Sequence, residues 1–386
     1  MANERVFQST VDPATTASHC YDVVVVGAGP GGSSAAYHLA HYGADVLLVD
    51  RFAFPRDKRC GDGIVAAALD ELALMGIAEE VQARYSASRY LAFWLYGMKT
   101  INRCPPSEHF TVDYIAPRFS FDAQLCECAL RAGASWLDNV TIHELEEVQA
   151  DKVIVRGIYE GSPLRIQAHI VIAADGSGSR LARQLRKSLV EQGITPPLTG
   201  PEVPRARFTA MRGYYRNIER LKEAEDAMEF YMHTEPGTYY YWIFSMDDGL
   251  ANVGVIANMQ QLRDHHPDLA RAIGNFLQSA DVNGRAASAT LQGQLGAAPI
   301  DSAMRGTALY GEHLLCVGDA AALVHPVTAE GISGALTSGR LAAETALKAL
   351  EKHDYSMQAL SPYGEAIRAR YEVLYDTLLQ TEMNLE

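Results

Sequence analysis

One stretch restricts this chain more than any other: Asp22-Val23-Val24-Val25-Val26 runs straight into Gly27-Ala28-Gly29-Pro30-Gly31-Gly32. A strand with no polar alternation is buried on both faces, as in a parallel sheet covered by helices. The Ala- and Leu-rich stretch from Ser33 to Tyr42 then reads as a helix stopped by Gly43. Asp45-Val-Leu-Leu-Val49 reads as a second buried strand, closed by Asp50 and Arg51. The unit is βαβ and its turn fits G-x-G-x-x-G. Such glycines let the turn form, let the main chain approach a pyrophosphate and let the helix pack on the sheet, while the helix N-terminus supplies N–H donors. Asp50 is placed to accept hydrogen bonds from ribose hydroxyls, which favours FAD or NAD over NADP.

The remaining length carries two other kinds of segment. Phe121 to Ala132 has helical spacing, Val153–Val155 and His169–Ile172 read as strands that lead into Ala174-Asp175-Gly176, and His313–Val317 reads as a strand before Gly318-Asp319. A small-residue helix starts near Gly331. Between them, Phe208–Tyr215, Met228–Met232, Tyr239–Phe244 and Asn252–Ile256 are strand-like runs separated by Pro236-Gly237 and Asp247-Asp248-Gly249, an antiparallel pattern. The expected class is α/β: a Rossmann-type nucleotide domain with an inserted antiparallel β-sheet substrate domain and C-terminal helices. The expected division is a disordered tail at 1–19, a discontinuous cofactor domain at 20–85, 117–185 and 296–350, a substrate sheet at 86–116 and 200–295, and helices at 351–386.

Composition excludes several functions. A formal charge of −14 is unsuited to nucleic-acid backbones. No apolar run approaches the roughly 20 residues of a transmembrane segment, so the expected location is cytoplasmic. The six cysteines lack paired spacing, and neither a disulfide framework nor a metal site is expected. His265-His266 reads as solvent-facing, and Arg212 and Arg216 as solvated strand ends.

Residues Asp175-Gly176-Ser-Gly-Ser179-Arg180 and Gly318-Asp319, with His325-Pro326 feeding the helix at Gly331-Ile332, resemble the two downstream motifs of the flavoprotein hydroxylase superfamily, the class of p-hydroxybenzoate hydroxylase. That resemblance implies FAD rather than NAD. A closer one follows from Phe54-Pro-Arg-Asp-Lys-Arg-Cys60-Gly-Asp-Gly63, Arg207 to Tyr215, Pro236 to Phe244 with Asn252-Val-Gly254, and His325 to Ile332. These are similar to the FPRDKPCGGG, vRgYy, PxxYxWxFP…NVG and NPLTGEGI segments of the geranylgeranyl reductase family. The resemblance also implies that Arg118, in Arg118-Phe-Ser-Phe-Asp122, reaches the FAD. Three positions depart from the family pattern: Ser245-Met246 stands for Pro-Lys, Asp62 for a glycine, and His325 for Asn.

The chemistry so implied is reduction of C=C bonds in an isoprenoid-like or other apolar substrate through N5 of reduced flavin. The alternative is a monooxygenase that hydroxylates an aromatic or natural-product substrate through C4a-hydroperoxyflavin, with a halogenase further behind. Cys60, Tyr241, Trp242 and His325 are the candidate catalytic residues. Tyr239 to Trp242 alternate across a strand, so one pair is expected to face the cavity. With one dinucleotide unit in the chain, reducing equivalents are expected from NAD(P)H that docks transiently or from an electron-donor protein.

Overall fold

The valines of the first run form a central strand because nothing in them asks for water: Val23, Val24 and Val25 are completely enclosed. In this computed structural model, residues 7–95, 97–194, 207–233, 239–258, 268–301, 308–325 and 328–383 are described. Pro236-Gly237, His265-His266 and Pro326 lie outside them. The first half of the chain contains α1 (Pro13–Ser18), β1 (Cys20–Val26), α2 (Pro30–His41), β2 (Val46–Val49), β3 (Gly63–Ile64), α3 (Ala66–Leu74), α4 (Ala78–Arg84), β4 (Ser86–Ser88), β5 (Tyr90–Leu95) and β6 (Met98–Arg103). It continues with β7 (Asp113–Ile115), α5 (Arg118–Arg131), β8 (Ser135–Leu137), β9 (Val140–Val148), β10 (Val153–Tyr159), β11 (Ser162–Ala173) and α6 (Arg180–Glu191). The second half contains β12 (Arg207–Arg216), β13 (Ala227–His233), β14 (Tyr239–Ser245), β15 (Ala251–Asn258), α7 (Leu269–Leu277), β16 (Thr290–Asp301), β17 (Tyr310–Gly311), β18 (Leu314–Cys316), α8 (Ile332–Lys352) and α9 (Met357–Met383).

The cofactor-type sheet has the order β17-β18-β11-β1-β2-β8, with β10 and β9 added beside β11. Strand β1 pairs in parallel with β2 and β11, and β11 in parallel with β18. The three stretches containing Gly27, Ala174 and Val317 therefore emerge side by side at one carboxyl edge, which is where an α/β sheet binds its ligand. Helix α8 lies against α2, and Ser34 Oγ donates to the Leu336 carbonyl at 2.8 Å.

The second sheet runs β16-β12-β15-β14-β13-β5-β6 and is antiparallel except where β13 pairs with β5. Its outer face packs Tyr231, Tyr241, Ile243, Val253 and Val255 on Ile273 and Phe276 of α7. The opposite face carries Phe230, Tyr240, Trp242 and Phe244 toward the carboxyl edge of the first sheet. A small sheet, β3-β7-β4, bridges the two.

Two expectations change. The disordered tail does not describe residues 7–19: Asp12 caps α1 through a bond to the Ala14 N–H, with Pro13 opening the helix, and the Thr10 N–H donates to the Trp136 carbonyl at 2.9 Å. Asp-Pro is an N-terminal helix signal in its own right. The break placed at 295/296 falls inside β16, whose Ile300 still pairs with Phe208.

Candidate active site

The glycine turn is held by steric necessity. Gly27 has φ +104°, and a Cβ there would stand 2.4 Å from the Ala174 carbonyl oxygen; a Cβ on Gly32 would stand 1.7 Å from the Gly27 carbonyl oxygen. Asp50 fixes the turn from the next strand, accepting from the Ala28 N–H at 2.9 Å and the Phe52 N–H at 3.0 Å. The N-cap of α2 is Gly29, which brings no capping side chain, so the first N–H groups of the helix are available to an anion.

These residues open into a cavity of about 1380 Å³. Gly27, Gly29, Gly31, Asp50, Arg51, Arg118, Asp175, Gly176, Gly318, Asp319, Gly331 and Ile332 all line it, while Ala28 and Gly32 stand behind the lining and shape the turn. Asp175 accepts from the Arg180 N–H at 3.3 Å, and its buried Oδ1 has no partner among the described residues. Burial pushes its carboxyl up from the ordinary value. For Asp319 burial acts in the same direction, but Lys58, whose Nζ lies 2.9 Å away, and Arg118 hold the carboxyl below it. Arg118 is fully enclosed and bonds Asp122 through Nε at 2.5 Å and a terminal nitrogen at 2.8 Å. Burial alone would weaken its charge; Asp122 and the neighbouring Cys60 thiol outweigh that and raise its pKa.

The residues fit FAD. The N–H groups of Gly31 and Gly32, left open in the first turn of α2, suit a pyrophosphate, Asp50 suits a ribose, and the unpartnered Oδ1 of Asp175 awaits a hydroxyl donor. The volume exceeds the ~1,000 Å³ upper range of ordinary ligand pockets, which leaves room for a second molecule.

That second half of the cavity is apolar. Leu91, Phe93, Met228, Phe230, Met232, Tyr240, Trp242, Phe244 and Ile256 line it from the second sheet, and Phe230 stacks on Phe93 and Tyr240 with ring centroids 5.0 and 5.4 Å apart. Cys60 and Gly61 stand where the two halves meet. Trp242 Nε1–H donates to Asn252 Oδ1 at 2.9 Å, and Asn252 Nδ2 donates to the Cys60 carbonyl at 2.8 Å.

Cys60 and Trp242 are thus brought together; Tyr241 and His325 are not. Tyr241 points out of the cavity and stacks on Phe276 at 4.5 Å, because alternation gives the inward positions to Tyr240 and Trp242. His325 is turned into its own loop, where Nδ1 accepts from the Thr328 N–H at 3.2 Å. Arg212 is not a solvated strand end: it is 4% exposed and bonds Asp57 at 2.6 Å and the Lys58 carbonyl at 3.3 Å. Sequence reasoning passed over Lys58 and Asn252 as site residues, although both sit inside quoted motifs.

The family described as FAD binding domain matches residues 20–372. The chain is 31% identical over 355 residues to digeranylgeranylglycerophospholipid reductase 2 of Methanopyrus kandleri, covering 89% of this chain and 81% of that protein. Among solved structures it is similar to a geranylgeranyl bacteriochlorophyll reductase-like protein from Thermoplasma acidophilum, with a TM-score of 0.77, 25% identity and coverage of 91% of this chain and 84% of that one. The fold is also that of the myxobacterial chondrochloren halogenase CndH, at a TM-score of 0.76, 20% identity and coverage of 94% and 82%. With a glycine turn, a flavin-type cradle and an aromatic cavity on one wall, the chain belongs to the FAD binding domain family and, within it, to the geranylgeranyl reductase family of FAD-dependent oxidoreductases.

Proposed function

We propose that this flavoenzyme saturates carbon–carbon double bonds in a long apolar, isoprenoid-like substrate. The observation that carries the reading is the continuity of one cavity: its polar half fits FAD, and its other half is an aromatic and methionine-lined slot suited to a flexible hydrocarbon chain. FAD, when bound and reduced, supplies the two electrons of the reaction, and the substrate takes up two protons with them.

The protein's own share is placement and exclusion of water. Phe93, Phe230 and Tyr240 form a stacked wall that holds the chain, and Trp242 with Phe244 closes the slot beside Cys60. Cys60 is the proton donor we assign to the carbon next to the reduced one, because it is the thiol that lines the junction of the two halves. Gly27, Gly29, Gly31, Asp50, Arg51, Arg118, Asp175, Gly176, Gly318, Asp319, Gly331 and Ile332 hold the cofactor. Electrons come from NAD(P)H or a donor protein that docks transiently. Six free thiols suit a reducing, cytoplasmic setting. No helix among the described residues is long and apolar enough to cross a membrane.

The deciding experiment is dithionite-driven turnover of a polyprenyl lipid without oxygen, read by mass spectrometry. A gain of two hydrogens per reduced bond is expected. Product that forms only with oxygen, and carries it, would replace this reading with the monooxygenase one.

A further inference from the structure

Two residues beyond Cys60, Asp62 turns the chain with φ +67° and its side chain is completely enclosed. Glycine would make this turn at no steric cost, so the turn does not call for a carboxylate. Burying one is expensive unless it is matched by donors. The donors are present, and they connect both sides of the cavity. Oδ2 accepts from the Tyr214 hydroxyl at 2.6 Å and from Asn252 Nδ2 at 2.8 Å, while Oδ1 receives the Arg118 main-chain N–H at 3.4 Å. Asn252 is shared: the same Nδ2 bonds the Cys60 carbonyl and its Oδ1 bonds the Trp242 indole. One carboxylate therefore joins the Cys60 loop to β12, β14 and β15.

The charges around it are spoken for. Arg212 and Tyr214 face it from β12, with the Arg212 guanidinium 4.4 Å above the Tyr214 ring, and Arg212 is bonded to Asp57. Arg118 faces it from α5 and is bonded to Asp122. On its own loop the titratable residue nearest in sequence is Cys60, two positions before it. Among the described residues, no cation is dedicated to Asp62 alone.

We propose that Asp62 is a positioning residue: its carboxylate, acting through Asn252, holds the Cys60 main chain and the Trp242 indole in register across the cavity, and losing its charge loosens both. Burial pushes the carboxyl up to about 6, against the opposing pull of Arg212, Tyr214, Asn252 and Arg118, so the change falls within a workable pH range. The proposal deepens the reductase reading and rests on it only for the turnover arm of its test.

The first arm needs no substrate. Full-length protein, with and without FAD, is alkylated with iodoacetamide between pH 5 and pH 8, and labelling at Cys60 is followed by peptide mass spectrometry, with half-exposed Cys20 as internal reference. Thiolate content alone raises the rate about tenfold per pH unit below the thiol pKa. Wild-type Cys60 is expected to depart from that slope with a bend near pH 6, at least twofold in rate, that Cys20 lacks. Asp62→Asn keeps acceptors for Tyr214 and Asn252 but no charge, and is expected to abolish the bend. Tyr214→Phe removes a donor to the ionised form and is expected to move the bend upward by roughly half to one pH unit. A wild-type line without a bend, or a bend that persists unchanged in Asp62→Asn, overturns the proposal; if that variant does not fold, an unmoved bend in Tyr214→Phe does so.

In the second arm, Asp62→Asn is expected to lower kcat by roughly threefold to tenfold at pH 7.5 with KM within about twofold, and to match wild type near pH 5. Equal kcat at pH 7.5 counts against it. Absence of any polyprenyl turnover in wild type would refute the reductase reading and leave the alkylation arm to decide on Asp62.

Discussion

Gly254 lies directly beneath the Trp242 indole: the two are cross-strand partners, and a Cβ on Gly254 would stand 2.1 Å from Cζ2 of the ring and 2.6 Å from the Met211 carbonyl oxygen. The ring takes its inclination in the cavity from that missing methyl. Gly254→Ala is expected to displace Trp242 and lower kcat/KM at least tenfold, a loss of about 1.4 kcal/mol in transition-state stabilisation. Overpacking should also cost about 1–3 kcal/mol of stability. Steady-state kinetics beside denaturant melts check this; wild-type kinetics in the variant would mean that the ring's inclination is irrelevant.

Gly32 shapes the FAD turn from behind the cavity lining. An alanine there meets the Gly27 carbonyl and must deform the turn, so Gly32→Ala is expected to weaken FAD binding at least tenfold, about 1.4 kcal/mol. Gly274→Ala, in open space on α7, is the control and should bind FAD normally. Flavin fluorescence titration of the apoprotein measures both. Equal affinities would contradict the placement of the pyrophosphate.

Neighbouring aromatics on β14 should separate cleanly. Tyr241→Phe leaves the cavity untouched and is expected to keep turnover within about twofold. Trp242→Phe deprives Asn252 Oδ1 of its donor, an unsatisfied buried acceptor that costs about 1–3 kcal/mol, and should reduce kcat by roughly threefold to tenfold. The reverse ranking would place the reacting bond on the wrong side of the sheet.

Acid sensitivity has an identifiable contributor in His38 on α2, 7% exposed and with Nε2 unpartnered among the described residues. Burial, helped by the Arg340 charge, lowers its pKa from 6.5 to about 4. The unfolded chain takes up the proton first, so the stabilisation from the neutral buried ring is complete above about pH 6.5 and disappears as the pH falls to 4. Its full size is about 3 kcal/mol. His38→Leu should therefore lose less stability than wild type between pH 7 and pH 4.5 in urea titrations, and parallel losses would clear His38 of the effect.

The strand–turn–helix unit was legible because local sterics force it: β1 is too apolar to be anything but central, and Gly27 and Gly32 are demanded by contacts within the turn itself. The aromatic strand was half legible. Alternation separates Tyr240 and Trp242 from Tyr241, yet which set faces inward is decided by Phe276 on α7, a partner that spacing on β14 cannot reveal. Arg212 was misread for a similar reason: its acceptor, Asp57, is 155 residues away in the chain. His325 looked like a site residue because of its motif, whereas the turn it caps claims its nitrogen. Residues 7–19 were misread by composition, although Asp12-Pro13 already carried a helix-start signal.

The alternation of the second sheet divides its labour. One side of β13 and β14 is bound to α7 and cannot change without loosening the fold, while the other lines the cavity. Swaps among Phe230, Met232, Tyr240 and Phe244 are therefore the cheapest route by which descendants of this chain could acquire a taste for shorter, bulkier or cyclic hydrocarbons, with the redox machinery across the gap inherited unaltered.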